Sequence, residues 1–182
     1  MQALVVYESM YGNTHAIATG IAAGLRATHE VTLVPVTRTT REMVAMADLI
    51  VVGGPTHMRG MSTVASRRTA AQAARKAGSG LTLDPDANGP GLRTWLEELS
   101  ADGMVAASFD TRLGGLTAFT GRASRGIARV LIRRGCQLLL PPESFLVTNR
   151  NTLVPGEGAR ACSWGALVGE TARAALASSK RS

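Results

Sequence analysis

The sequence predicts an α/β domain in three layers, with a five-stranded parallel sheet between two layers of helices. Two observations carry this. Short, almost wholly apolar runs recur along the chain, Ala3-Leu4-Val5-Val6-Tyr7 and Leu49-Ile50-Val51-Val52 among them, and such runs suit strands covered on both faces, as in a parallel sheet. Stretches with apolar residues at helical spacing lie between them, and alternating strands and helices close into parallel sheets with right-handed crossovers. At 182 residues the chain is most simply a single domain, 1–182, with room for a real core.

In order, the first strand breaks at Glu8 into a hydroxyl-rich loop, Ser9 to Thr14, and then a helix whose Ile17, Ile21 and Leu25 recur every four residues. Val31 to Val36 make the second strand, and Pro35, which cannot donate a ladder hydrogen bond, sets it at or near an edge. Thr39 to Ala47 form a short helix capped by Thr40. Asp48 to Gly53 are the third strand, and a loop follows from Gly54 to Ser62. Met61 to Lys76 form a helix with Arg67, Arg68 and Arg75 on a basic face, ended by Gly78-Ser79-Gly80. A polar loop, mobile by composition, leads to Gly91, and Leu92, Trp95, Leu96 and Leu99 mark another amphipathic helix, so the crossover around 62–102 is long and helical. Gly103 to Phe109 are the fourth strand, opening into a loop at Asp110. Gly121 to Arg134 form a helix with Ile127, Val130 and Leu131 inward and an arginine stripe, Arg122, Arg125, Arg129 and Arg133, outward. Cys136 to Leu140 are the fifth strand, stopped by Pro141-Pro142, and Glu143 to Val147 resume an extended path. The last helix begins near Glu157 with Ala161, Trp164, Leu167, Val168 and Thr171 inside.

Composition narrows the function. No 18-residue apolar run exists and the chain starts in a strand, so neither a membrane span nor a signal peptide is expected, and a cytoplasmic protein is. Cys136 and Cys162 are far apart and form no Cys-x-x-Cys, which argues against a redox pair or metal site. Twenty basic residues, nearly all arginine, face 13 acidic ones, for a net charge of +7. That basic surface invites an acidic partner. Nucleic acid is disfavoured, because only 4% of residues are aromatic and no stacking platform or helix-turn-helix pattern is present.

The loop after the first strand carries the chemistry. A helix N-terminus leaves backbone N–H groups unpaired and carries partial positive charge, so Ser9, Asn13 and Thr14 beside Gly12 make a seat for an anion. Neither Gly-x-x-x-x-Gly-Lys-Ser/Thr nor Gly-x-Gly-x-x-Gly is present, which removes the triphosphate and dinucleotide loops. A plain capped turn needs only one such residue, Asn13 or Thr14. No Ser-His-Asp set or paired acid and base stands out, so no hydrolytic nucleophile is assigned.

The pattern Ser9-x-x-Gly12-Asn13-Thr14 resembles the phosphate loop of the flavodoxins and the flavodoxin-like quinone reductases, which holds the FMN monophosphate. Gly54-Pro55-Thr56 is similar to the segment that runs along the isoalloxazine ring in the same proteins. Asp110 to Gly115 correspond to the loop that meets the pyrimidine side. The resemblance implies a flavodoxin-like fold with strand order 2-1-3-4-5, which brings the ends of the first, third and fourth strands together. It implies an FMN site built from Ser9, Met10, Tyr11, Gly12, Asn13 and Thr14, from Pro55, Thr56, His57, Met58 and Gly60, and from Asp110, Thr111, Arg112 and Gly115. Gly60 would then permit a backbone rearrangement on reduction, and Arg112 would sit near N1 or O2 of the flavin. The sequence departs from the family in offering His57 and Met58 where relatives place an aromatic ring, and Trp95 or a partner subunit would have to supply stacking. The implied function is an FMN electron carrier. The alternatives are an NAD(P)H:quinone oxidoreductase with a small quinone substrate, for which the Ser9-Met10-Tyr11-Gly12 loop and the long crossover speak, and a module that no longer binds flavin. The basic balance implies an acidic redox partner and a flavin potential above that of an acidic flavodoxin, and homo-oligomers fit the long crossover.

Overall fold

The structure, a computed structural model, describes residues 1–114 and 121–179. Its element order is β1 (Gln2–Tyr7), α1 (Asn13–Leu25), β2 (Glu30–Pro35), a 3-10 turn (Val36–Arg38), α2 (Arg41–Ala45), β3 (Leu49–His57), β4 (Gly60–Met61), α3 (Val64–Arg75), α4 (Leu92–Glu98), β5 (Val105–Leu113), α5 (Ala123–Arg133), β6 (Gln137–Leu138), β7 (Glu143–Val147) and α6 (Glu157–Ser179).

The sheet runs β2-β1-β3-β5, with β6 and β7 both paired to the outer side of β5, and these pairings are all parallel. The five expected positions are therefore filled by more than five strands. The fifth is in two pieces, β6 against Val105 and Ala106 and β7 against Phe109 to Leu113, because Pro141 and Pro142 cannot continue the ladder between them. A two-residue strand, β4, folds back antiparallel on the end of β3. Pro35 does lie in an edge strand, opposite Tyr7.

Helices cover both faces. On one, Ile17, Ile21 and Leu25 of α1 and Ala161, Trp164 and Val168 of α6 bury the odd-numbered side of β1 together with Phe109 and Phe145. The two helices touch through backbone: a Cβ on Gly24 would stand 2.0 Å from the Cys162 carbonyl oxygen, and one on Gly165 2.2 Å from that of Ile21. Leu167, expected inside, is 53% exposed. On the other face Val44, Leu92, Leu96, Ile127 and Leu131 from α2, α4 and α5 cover Leu4, Val6, Ile50 and Val52. α3 covers neither face, and Ala70 is its single buried residue. Its first turn is held instead by a capping box between Thr63 and Ser66.

Two strands outrun the sequence expectation. β3 continues through Gly54-Pro55-Thr56 to His57, and β5 through Asp110, Thr111 and Arg112 to Leu113. Each supports the other, since Gly54 pairs with Asp110 and Pro55 with Thr111, and β7 supports β5 from the far side. Turn-like composition at 54–56 and 110–112 is thus overridden by ladder partners, β5 alongside Gly54 and Pro55 and β3 and β7 on the two sides of Asp110 and Thr111.

Candidate functional site

A cavity of about 320 Å³ opens at the carboxyl edge of the sheet. Met10, Tyr11, Asn13 and Thr14 supply one wall, Pro55, Thr56 and His57 a second, and Thr111, Arg112 and Leu113 a third. The three stretches singled out in the sequence therefore line one space of ligand size. Two segments without a sequence signal complete it, Leu81 from the long crossover and the turn Val147, Thr148, Asn149 and Asn151 after β7.

The first loop is preformed. Gly12 takes φ 87°, a left-handed conformation open to glycine, and a Cβ there would meet nothing within 4 Å. Its N–H donates to Ser9 Oγ at 3.1 Å, so the Ser9 hydroxyl accepts inside the turn and keeps its own proton to donate. Thr14, buried, shares one proton with Thr111 at 2.7 Å, which ties α1 to β5 and leaves the second hydroxyl proton of the pair for another acceptor. Asn13 donates through Nδ2 to the Asn151 carbonyl at 2.9 Å, with Asn151 itself held at φ 58°. Tyr11 does not point away from the chain: its hydroxyl donates to the Ala70 carbonyl at 2.8 Å, and this bond pins α3 beside the cavity. No side chain caps α1, and its first turn holds no acid.

The loop expected to be mobile closes back onto this turn. Asp84 is buried, its N–H donates to the Met10 carbonyl at 2.9 Å, and its carboxylate stands 3.6 Å from His15 Nδ1. His15 in turn stacks on Tyr7 with ring centroids 4.7 Å apart. Burial first, and then the negative charge of Asp84 and Asp86, push the Tyr7 hydroxyl up to about 12. At the start of the loop Glu8 is also buried, accepting from Leu92 N–H at 2.7 Å and standing 3.5 Å from the Arg67 guanidinium. Apart from the Tyr7–His15 stack, these pairs join residues dozens of positions apart, where periodicity could not find them.

The second stretch ends in a tight hairpin. Thr56 pairs with Met61 and His57 with Gly60, so Met58 and Arg59 are its two central residues, both at positive φ, 45° and 75°. That is the geometry of a type I′ turn, and two non-glycine residues in it hold strain of about 1 kcal/mol each. The turn is locked from behind, since a Cβ on Gly121 would stand 2.1 Å from the Arg59 carbonyl oxygen. Gly60 is at ordinary φ with nothing within 4 Å of a Cβ, so the unusual backbone lies at Met58 and Arg59 instead. Met58 is 92% exposed at the tip and does not line the cavity, whereas His57 does. Burial, with the Arg67 charge adding to it and Glu8 opposing it, holds the His57 imidazole below its usual range.

The third stretch divides between the cavity and the interior. Thr111 and Arg112 line the cavity, while Asp110 is fully buried toward α5, where Oδ2 accepts from Ser124 N–H at 2.8 Å. Burial raises its carboxyl above the usual range, against the lowering effect of the Ser124 N–H bond. Arg112 donates to the Leu113 carbonyl at 3.0 Å. Gly115 lies outside the described residues. Trp95 packs into the layer of α2, α4 and α5 and lines a separate cavity with Val44 and Leu99, and it is not among the residues lining this site. Beneath the site, Arg160 clamps β7 to α6 by pairing with Glu143 at 2.8 Å and Glu157 at 2.6 Å and lying 4.3 Å over the Phe145 ring. Among the described residues no group of His, Cys, Asp and Glu is placed to hold a metal, and no helix is long and apolar enough to cross a membrane.

A parallel sheet of this order is a doubly wound α/β fold, and the cavity over the ends of β1, β3 and β5 lies where such folds bind ligands. Residues 4–76 match the flavodoxin domain family. No curated protein matches the sequence. Among solved structures, a flavodoxin from the domain Archaea superposes with TM-score 0.66 at 19% identity, over 95% of this chain and 99% of that one. Flavodoxin 1 of Bacillus cereus gives 0.63 at 18%, over 93% and 98%. A flavodoxin, WrbA-like protein from Agrobacterium tumefaciens gives 0.63 at 20%, over 94% and 97%. The chain has a flavodoxin-like fold.

Proposed function

We propose that this chain binds FMN at the carboxyl edge of its sheet and serves as an electron carrier of the flavodoxin type. The observation that carries this reading is the convergence of the uncapped α1 N-terminus with the ends of β3 and β5 on one cavity. The matched flavodoxin domain and the flavodoxins among its structural neighbours support the choice of flavin over other phosphorylated ligands.

The residues fit such a group. The first-turn N–H groups of α1, the Ser9 hydroxyl proton and the spare proton of the Thr14–Thr111 pair are donors for the phosphate. Gly12 leaves its approach clear. Pro55, Thr56 and His57 on one wall and Thr111, Arg112 and Leu113 on another would bound the ring. FMN, when bound, supplies one- and two-electron transfer, and the protein tunes its potential. Arg112 in the wall and the net charge of +7 favour added negative charge on the ring, so the midpoint potential is expected above that of an acidic flavodoxin. Tyr11 and His57 are the only aromatic side chains in the cavity wall among the described residues, so stacking is modest.

Titration of the flavin-free chain with FMN, followed by flavin fluorescence, tests the reading. One-to-one quenching is expected, and unquenched fluorescence with excess protein would overturn it. A second reading, the NAD(P)H:quinone oxidoreductase, is favoured by one feature. α3 stands at the cavity rim, tied to Tyr11, yet buries a single residue, so the long crossover adds surface beside the site that a bare carrier does not need. Flavin-dependent oxidation of NADH by benzoquinone would select it over the carrier.

A further inference from the structure

The exposed face of α5 points to a second property of this protein. Its 11 residues include Arg125, Arg129 and Arg133 and no acid, and all three arginines are exposed. Like charges four residues apart oppose the helix slightly, and Arg125 stands in the first turn, where the helix dipole favours an acid. None of the three enters an ion pair among the described residues. Among the described residues no acidic side chain therefore pairs with this charge.

The stripe begins at the cavity. Ala123 N–H donates to the hydroxyl of Thr56, a wall residue, at 2.9 Å, and Gly121 just before α5 bridges to exposed Arg59 of the β3–β4 turn. Two nearby acids, Glu8 and Asp110, are buried and add no surface charge. Acid returns at the far end, where Arg134 donates to the backbone of Glu97. Ile132, 56% exposed, sits beside Arg129 and Arg133 as an apolar contact within the basic surface. Single-stranded nucleic acids are held in part by aromatic rings on which their bases stack, and α5 has none.

We infer that Arg59, Arg125 and Arg129 form the docking surface for an acidic protein, held so that its redox centre faces the cavity mouth. The inference rests on the flavin reading for its purpose, but the contact itself does not require flavin. Electrostatic complementarity of this kind sets encounter rate and orientation and is screened by salt.

The test uses the full chain, with and without FMN, and a small acidic [2Fe–2S] ferredoxin as probe, with affinity read by calorimetry. Binding is expected at low salt, weakening at least roughly tenfold between 20 and 300 mM NaCl. The double variant Arg125→Glu/Arg129→Glu should weaken it by about tenfold or more, while Arg26→Glu, a charge reversal at the opposite end of α1, should change it less than about twofold. Circular dichroism confirms that each variant is folded. Equal losses in both variants, no binding at low salt, or tighter binding of a single-stranded oligonucleotide through the same arginines would overturn the inference. Failure of the flavin reading shows separately, as unquenched FMN in the unaltered chain.

Discussion

Two helix N-termini meet the same edge of the sheet and are treated in opposite ways. At α5 the protein fills its own positive end, since Ser124 N–H reaches the buried Asp110 carboxylate and Ala123 N–H the Thr56 hydroxyl. At α1 no side chain caps the helix, no acid stands in the first turn, and the end faces a cavity. Both ends carry the same partial charge and the same unpaired donors. A terminus sealed by an internal carboxylate is structural, whereas one left open toward a cavity is available to an anion from outside.

Reversing the α1 end should have the largest effect. Asn13→Asp places a carboxylate beside the phosphate seat and is expected to weaken FMN by roughly 1.5–3 kcal/mol, about ten- to a hundredfold, in a fluorescence titration. Unfolding free energy should move by less than about 1 kcal/mol, because the lost bond to Asn151 is offset by an acid in the first turn. Equal FMN affinity in this variant would break the comparison. At α5 the opposite pattern is expected: Asp110→Ala leaves a buried N–H without its acceptor and should lower stability by about 1–3 kcal/mol in urea, with a smaller effect on FMN.

Thr14→Val keeps shape but removes one hydroxyl of the Thr14–Thr111 pair, so a drop of about fivefold in FMN affinity is expected, near 1 kcal/mol. The smallest effect is in the pH profile. The Asp110 carboxyl is raised in the fold, so between its ordinary value of 3.8 and its folded value the native state binds more protons than the unfolded one. Its contribution to stability is thus full below 3.8 and declines as pH rises through the folded value. Asp110→Asn should remove that decline, and an unchanged slope in unfolding curves across that range would show that another group carries it.

What could be read in advance follows from range along the chain. The Thr40 cap and the Ile17, Ile21 and Leu25 stripe depend on residues within a few positions of one another, and both stand as the sequence implied. The extension of β3 and β5 was not legible, because Gly54-Pro55-Thr56 reads as a turn until Asp110 and Thr111 lie alongside to pair with it. Nor was the division of labour between Asp110 and Arg112, two residues apart on one strand, since only the packed α5 end shows that the first is sealed beneath it while the second reaches the cavity. Trp95 has the composition of a ring cover, but the short α4 carries it to the other layer.

The sequence by itself determined the alternation of strand and helix, the edge position of the proline-bearing strand and the hydroxyl-rich turn before α1, since each is a local consequence of residue type. The tertiary structure alone decided that Asp84 folds back onto Met10, that Tyr11 anchors α3, and that one helix end is sealed while its neighbour stays open. Those outcomes depend on groups brought together from distant parts of the chain, and burial and hydrogen-bond satisfaction act only once the chain has folded.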